Sequence, residues 1–138
     1  MRTRVFLDTN ILVYANSRDD HRTARARQLL LDGGMVSVQV LNEFTSVARA
    51  KLGFTWEEVQ EAIGKILILC PNVRPLRIET HLRALGLSKR YGFSIWDGLI
   101  VATAAEARCS KFLTEDLQHG QVIDGVRIEN PFLKPTNP

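Results

Sequence analysis

Four acidic residues of this sequence occupy positions at which a carboxylate is either costly or well placed to bind a ligand. Two of them follow short apolar runs: Asp8 comes directly after residues 5–7, and Asp116 lies just beyond residues 111–113. A short apolar run predicts a strand that is buried in a parallel sheet. Open α/β sheets bind ligands at the carboxyl ends of such strands. We therefore expect Asp8 and Asp116 to lie where the sheet presents ligands.

The other two acids, Glu43 and Asp97, lie early in predicted helices. The helix predicted over residues 39–52 carries Glu43 beside its apolar face, roughly 85° from the centre of that face at about 100° per residue. The helix predicted over residues 94–108 has Asp97 in its first turn, and its middle is apolar or small on every side, which is typical of a buried helix. If the two strands that end in acids are parallel neighbours, all four carboxylates can meet at one sheet edge.

Such a meeting of carboxylates predicts a metal site. Like charges about 4 Å apart repel by roughly 4 kcal/mol per pair at an effective dielectric constant near 20. A divalent cation relieves this repulsion, and Mg²⁺ and Mn²⁺ prefer oxygen ligands. A metal of this kind lowers the pKa of a bound water and stabilises charge on a phosphate, so the site suits hydrolysis of a phosphodiester bond.

Each acid also has a purely structural interpretation. Asp97 could complete a capping box that begins at Ser94, and Asp8 could cap a short helical turn that follows it. Glu43 could pair with a nearby basic side chain, and Asp116 could belong to a turn. The metal-site hypothesis therefore rests on the coincidence of all four acids at suitable places, because no single residue decides it.

The remaining elements must bring these acids together. The chain has 138 residues, of which 45% are apolar, so we expect a single domain over residues 1–138 with an extended tail over residues 131–138. The predicted order β-α-β-α-α-α-α-β-β fits a three-layer α/β arrangement with parallel strands. Helices are predicted at residues 21–31, 39–52, 55–69, 78–91 and 94–108, and strands at residues 5–7, 35–38, 111–113 and 126–128.

Composition limits the alternatives. The formal net charge of +3 is weak evidence for a polyanionic partner. Cys70 and Cys109 have no companion Cys or His at zinc-ligand spacing, and reduced thiols in a cytosolic protein are the simplest interpretation. The sequence shows no signal peptide and no apolar run long enough to span a bilayer. We expect a soluble, cytoplasmic protein with no membrane association.

Four stretches in order resemble the motifs of PIN-domain nucleases, and more closely those of the bacterial VapC-type ribonuclease toxins of type II toxin–antitoxin pairs. The end of the chain, residues 125–132, is also similar to that group, and the resemblance covers nearly the whole sequence except for residues 55–91. The four stretches are Val5-Phe6-Leu7-Asp8-Thr9-Asn10, Val40-Leu41-Asn42-Glu43-Phe44, Ile95-Trp96-Asp97-Gly98-Leu99-Ile100-Val101-Ala102-Thr103-Ala104 and Phe112-Leu113-Thr114-Glu115-Asp116.

The resemblance implies a PIN-like α/β/α fold with a central parallel sheet and a Mg²⁺- or Mn²⁺-dependent endoribonuclease that leaves a 5′-phosphate and a 3′-hydroxyl. Asp8 and Asp97 would be the most direct metal ligands, and Asn10 and Thr114 would be polar supports. The complete catalytic and metal-binding quartet implied by the resemblance is Asp8, Glu43, Asp97 and Asp116.

The resemblance also implies partners: an RNA substrate, a second copy of the chain in a homodimer, and a cognate antitoxin that often places a basic side chain in the acidic pocket. RNA phosphates need cations, since backbone contacts supply most of the non-specific affinity. Arg22, Arg25, Lys89 and Arg90 are the predicted RNA-binding residues.

Two other hypotheses remain open. One is a non-catalytic PIN-fold module that binds RNA or protein, which the loss of an acidic position would favour, although all four acids are present. The other is a phosphatase with a nucleophilic Asp at a strand end. Such sites usually have a second Asp two residues later, and here Asn10 occupies that position.

Overall fold

The structure is a computed structural model and describes residues 4–133. Strands and helices alternate at the start of this range, and three short strands follow one another near its end. The helices are α1 (Thr9–Ala15), α2 (Thr23–Asp32), α3 (Val38–Ala50), α4 (Trp56–Leu69), α5 (Ile78–Tyr91) and α6 (Ile95–Glu106). The strands are β1 (Val5–Leu7), β2 (Val36–Ser37), β3 (Val73–Arg74), β4 (Lys111–Leu113), β5 (Val122–Ile123) and β6 (Val126–Glu129).

The central sheet is mostly parallel. β1 pairs in parallel with β4, with Phe6 opposite Phe112 and Leu7 opposite Leu113. β4 pairs in parallel with β6, and β5 adds to β6 as an antiparallel edge strand. On the other side of β1, a parallel bridge from Phe6 to Met35 leads to the pair formed by β2 and β3. The predicted α/β fold with a central parallel sheet is confirmed, and the strands that precede Asp8 and Asp116 are neighbours.

The core lies against the two central strands. The rings of Phe6 and Phe112 are fully buried, with their centroids 5.8 Å apart. Helix α6 is buried along the seven residues from Gly98 to Ala104, because small and apolar side chains occupy every side of it. The prediction that this helix is buried all round is therefore confirmed. Within residues 4–133, none of the helices has both the length and the apolar character that crossing a bilayer requires.

Several predicted element boundaries differ from the structure. Helix α2 runs from Thr23 to Asp32, so it begins two residues later than predicted, and it buries Ala26. The strands β3 and β5 have only two residues each, too few to show an alternating pattern, and β5 was not predicted at all. Residues 131–133 of the predicted extended tail form a turn in which Phe132 donates a backbone hydrogen bond to Oδ1 of Asn130 over 2.9 Å. The rest of that tail, residues 134–138, lies outside the described residues.

Gly98 allows α6 to pack closely against α5. A Cβ atom built at this position would lie 2.9 Å from the backbone oxygen of Ala84 and 2.5 Å from Oγ of Ser88. The backbone oxygen belongs to α5 and cannot move without a shift of that helix. Since Asp97 precedes Gly98 directly, the close approach of the two helices also fixes where Asp97 lies.

We expect Gly98→Ala to lower the free energy of unfolding by about 1–3 kcal/mol, because the added methyl group overpacks the contact with α5. Gly86→Ala is the matched control, since no atom lies within 4 Å of a Cβ atom built at that exposed helical position. That control should raise the free energy of unfolding by about 0.5–1 kcal/mol. Urea denaturation of both variants measures the difference, and a Gly98→Ala protein as stable as the wild type would contradict this account.

Candidate active site

Asp8 lies at the point where β1 ends and α1 begins. Its backbone N–H donates to the carbonyl of Leu113 over 3.1 Å, so the pairing of β1 with β4 continues as far as this residue. Its Oδ1 accepts a hydrogen bond from the backbone N–H of Thr9 over 2.7 Å, and its Oδ2 accepts one from Oγ1 of Thr114 over 2.7 Å. The predicted helix cap is confirmed, and the same carboxylate is 5% exposed at the sheet edge.

Asn10 and Thr114 connect Asp8 to Asp116. The Nδ2 group of Asn10 donates to Oδ2 of Asp116 over 3.1 Å and to Oγ1 of Thr114 over 3.3 Å. The same Thr114 oxygen accepts a hydrogen bond from the backbone N–H of Asp116 over 3.1 Å. The structure thus places both predicted polar supports between the two acids that end β1 and follow β4.

Glu43 reaches the site from α3. This helix leaves β2 directly, and Oγ of Ser37 caps it by accepting a hydrogen bond from the backbone N–H of Val40 over 3.1 Å. The buried side chain of Phe44 anchors the apolar face of the helix, and Glu43 lies half-buried beside it. Its Oε2 accepts a hydrogen bond from Oγ1 of Thr9 over 3.2 Å. The predicted position at the margin of the apolar face is confirmed.

Asp97 reaches the site from the first turn of α6. Oγ of Ser94 accepts a hydrogen bond from the backbone N–H of Asp97 over 3.1 Å, which is the Ser94 half of the predicted capping box. The carboxylate of Asp97 is half-buried. A helix N-terminus favours a negative charge at this position, and the capping and metal-binding interpretations of Asp97 are compatible.

All four acids line one cleft of about 550 Å³. They come from four different places in the fold, namely the ends of β1 and β4 and the early turns of α3 and α6. The other residues that line the cleft are Thr9, Asn10, Val13, Tyr14, Ser46, Val47 and Lys51.

The pKa values show that the carboxylates share an environment. Burial raises the pKa of Asp8 to about 7, the hydrogen bonds from Thr114 and Thr9 oppose the rise, and the charges of Asp116 and Glu43 add to it. Burial also raises the pKa of Glu43, with further contributions from the charges of two other cleft acids. The pKa of Asp97 is raised first by burial and then by the charge of Asp116. The charge of Asp116 therefore raises the cost of ionising each of the other three acids.

The donor atoms of the cleft fit a hard divalent cation. They are carboxylate and amide oxygens, and Oδ1 of Asn10 is buried without a hydrogen-bond partner. Over residues 4–133, no three His, Cys, Asp or Glu side chains form a ready-made metal cage. Mg²⁺ does not need such a cage, since it usually takes one or two carboxylates and keeps several waters. The cleft thus fits Mg²⁺ or the similar Mn²⁺.

Arg22 has a structural role that the sequence did not reveal. Its guanidinium group contacts Oε1 of Glu115 and Oδ2 of Asp20, each over 2.7 Å, and lies 3.9 Å from the ring centroid of Tyr14. The Tyr14 hydroxyl donates to the same Glu115 oxygen over 3.1 Å. These contacts fix the residue next to Asp116, and they engage the guanidinium group that the sequence predicts as an RNA contact. The ion pair joins positions 93 residues apart, which no local pattern could indicate.

The other three predicted RNA-binding residues, Arg25, Lys89 and Arg90, are exposed, but they do not line the cleft. In the part of the chain that the structure describes, the cation that does line it is Lys51, at the C-terminal end of α3. Sequence reasoning missed Lys51. The available signal was its position eight residues beyond Glu43, about 12 Å farther along the same helix at 1.5 Å per residue.

Comparison with known proteins gives a consistent picture. The model of the PIN domain family matches residues 5–123 of the chain. No curated protein sequence matches the chain. Among solved structures, the chain is similar to a toxin–antitoxin complex from Klebsiella pneumoniae, with 21% identity, a TM-score of 0.70 and coverage of 93% of this chain and 98% of that one.

Two further solved structures share this fold. DNA-bound VapBC from Salmonella typhimurium has 18% identity, a TM-score of 0.68 and coverage of 94% of this chain and 99% of that one. VapC20 of Mycobacterium tuberculosis, described as a sarcin-ricin loop cleaving toxin, has 18% identity, a TM-score of 0.61 and coverage of 78% and 86%.

The raised pKa of Asp8 predicts how stability depends on pH. Because the pKa rises from 3.8 to about 7 on folding, the folded protein keeps this proton at pH values where the unfolded chain has lost it. The free energy of unfolding of the metal-free protein should therefore fall as pH rises from about 4 to about 7. Asp8→Asn has no carboxyl proton to lose. The free energy of unfolding of the variant minus that of the wild type should therefore be about 2–3 kcal/mol larger at pH 8 than at pH 5.

Urea denaturation of both proteins in EDTA at the two pH values measures this difference. If the free energy of unfolding of the variant differs from that of the wild type by the same amount at pH 5 and at pH 8, the assignment of a raised pKa to Asp8 is contradicted.

Proposed function

The chain belongs to the PIN domain family, and from that premise we propose that it is a Mg²⁺- or Mn²⁺-dependent endoribonuclease that acts as the toxin of a toxin–antitoxin pair. The observation that carries the proposal is the convergence of four carboxylates from separate elements into one cleft at the carboxyl ends of β1 and β4. The charge of Asp116 raises the cost of ionising the other three, and a bound cation would lower that cost.

Asp8 and Asp97 would be the most direct metal ligands, with Asp116 beside them in the cleft. When bound, Mg²⁺ or Mn²⁺ would increase the acidity of a water and stabilise the charge that develops on the phosphate. Asn10 and Thr114 would keep the carboxylates of Asp8 and Asp116 in place through the hydrogen bonds that join them.

Glu43 is the best candidate for the general base. It is half-buried, its pKa is raised mainly by burial, and Oγ1 of Thr9 orients one carboxylate oxygen. A base is most effective when its pKa approaches the working pH. As a water oxygen bonds to phosphorus, Glu43 would take the water proton while the bond from phosphorus to the 3′ oxygen breaks. The leaving oxygen takes a proton from solvent, which gives a 3′-hydroxyl and a 5′-phosphate.

RNA is the proposed substrate class because of the resemblance of the four motifs and the fold. The Mycobacterium tuberculosis relative is described as cleaving the sarcin-ricin loop. At 18% identity, this description supports the proposal that RNA is the substrate class. The alternative is a PIN-fold module that binds without catalysis. The loss of an acidic position would favour that alternative, and all four acids line the cleft.

A cognate antitoxin is the proposed protein partner, and similar chains occur in toxin–antitoxin complexes. A groove of about 350 Å³ between α2 and α4 is lined mainly by apolar side chains, among them Leu31, which is 66% exposed. A concave apolar groove suits a helical or extended peptide segment. If the antitoxin docks here, Leu31→Glu should weaken its binding in calorimetry with the protein encoded by the neighbouring gene, and unchanged affinity would reject this surface.

A homodimer is the second proposed assembly. Helix α5 exposes Ile78, Leu82 and Leu85 along one stripe, at intervals of four and three residues. A flat stripe of this kind can pair with the same stripe of a second copy about a two-fold axis. Sedimentation should give a dimer that Leu82→Glu converts to a monomer, and a dimer that persists in the variant would place the contact elsewhere.

The nuclease proposal predicts metal-dependent cleavage of RNA. Purified wild-type protein should cleave in Mg²⁺ or Mn²⁺ and stop in EDTA, and Asp97→Asn should reduce the rate at least about hundredfold because a metal ligand is lost. Asp32→Asn is the matched control, since it makes the same chemical change at an exposed position outside the cleft. Circular dichroism should confirm that each variant is folded.

Equal cleavage by wild type and Asp97→Asn would indicate a contaminating nuclease and reject the proposal for this cleft. Binding of RNA without cleavage in either metal, across structured and single-stranded substrates, would favour the binding module.

A further inference from the structure

The four acids of the cleft repel the negatively charged phosphates of RNA. RNA carries a negative charge on each phosphate, and the cleft presents four carboxylates to it. A divalent cation compensates only part of this charge. RNA must therefore be held by cations at the margin of the cleft, where they can neutralise phosphates on either side of the bond to be cut.

Lys51 is placed to do this. It lines the acidic cleft, and it also lines a second groove of about 550 Å³ between the loop after α1 and the loop after α3. The two depressions therefore adjoin at this side chain. The exposed ammonium group makes no ion pair with any carboxylate among the residues that the structure describes. A strand that leaves the cleft in this direction must pass it.

The surroundings of Lys51 favour RNA over a neutral ligand. Residues 49–56, which join α3 to α4, carry two cations and no acid. In this segment Arg49 lies over the ring of Trp56, 4.5 Å from its centroid, and Trp56 is 58% exposed. Phe54 lines the second groove. Cations interspersed with accessible aromatic rings are typical of surfaces that bind single-stranded nucleic acid.

The second groove also contains acids, but two of its three acids are already engaged. Asp20 is paired with Arg22 over 2.7 Å, and Glu58 is bonded to Thr55 within the capping box of α4. Asp19 is the third acid, and Arg18 provides a further cation in the same groove. With Asp20 paired to Arg22, the charges of Asp19 and Glu58 are matched in number by those of Arg18 and Lys51, so carboxylates do not dominate the groove.

We propose that Lys51 is a positioning residue that holds an RNA phosphate where the strand passes from the acidic cleft into the second groove. This inference rests on the proposed nuclease function and adds the direction in which the substrate runs. Lys51 lies about 12 Å along α3 from Glu43 at 1.5 Å per residue. The phosphate held by Lys51 thus belongs to a nucleotide away from the scissile bond.

The side chain of Lys51 can be removed without loss of a structural bond. It is the backbone N–H of Lys51 that caps α3, by donating to the carbonyl of Val47 over 2.7 Å. Lys51→Ala keeps that bond, and Lys51→Arg restores the charge. Lys65→Ala is the matched control, because Lys65 is exposed on α4 and makes only an exposed ion pair with Glu61 over 3.5 Å.

The test measures RNA binding apart from cleavage. In the inactive Asp97→Asn background, fluorescence anisotropy with a labelled single-stranded RNA in Mg²⁺ gives Kd at several salt concentrations. Lys51→Ala should raise Kd about three- to tenfold and lower the slope of log K against log salt by about 0.7, the value for one phosphate contact. Lys51→Arg should restore both, and Lys65→Ala should change neither. In the active protein, Lys51→Ala should raise KM and leave kcat within about twofold.

An unchanged Kd and salt slope in Lys51→Ala would overturn the assignment of Lys51 while leaving the nuclease proposal intact. A wild-type protein that neither binds nor cleaves RNA would overturn both, so the two failures are distinguishable.

Discussion

The parallel pairing of β1 with β4 is the constraint on which the rest of the structure depends. It brings the two strand ends side by side, so that the backbone of Asp8 bonds to Leu113 and its carboxylate accepts a hydrogen bond from Thr114. Asp116 follows two residues later. Helices α3 and α6 then place Glu43 and Asp97 beside these two strand ends. A change of register between these strands would separate the acids and expose the apolar residues behind them.

The structure keeps this costly arrangement through neighbouring contacts. Hydrogen bonds from Thr9, Asn10 and Thr114 hold three of the acids, and the contacts of Arg22 with Glu115 fix the segment that carries Asp116. Burial still raises the pKa of Asp8 to about 7. Ionisation of Asp8 therefore lowers the free energy of unfolding of the metal-free protein. Sites that are prepared to bind a ligand commonly carry such a cost.

Much of the fold and of the cleft could be predicted from the sequence, because local patterns determine it. The apolar run before Asp8, the Ser94 cap before Asp97 and the all-apolar middle of α6 each indicate their structure within a few residues. Contacts between distant residues could not be predicted. The ion pair of Arg22 with Glu115 and the place of Lys51 at the cleft margin depend on how loops meet after folding, and the two-residue strand β5 is too short to leave a pattern.

The function proposed for the cleft depends on whether its converging carboxylates bind a divalent cation. Crystals of the wild-type protein soaked in Mn²⁺ test it most directly, because anomalous scattering locates the metal without reference to activity. An anomalous peak is expected inside the cleft, within coordination distance of carboxylate oxygens of the quartet, and the peak should be lost in crystals of Asp97→Asn. A saturating soak that leaves the cleft without a peak, or that places Mn²⁺ only elsewhere on the protein, would contradict it.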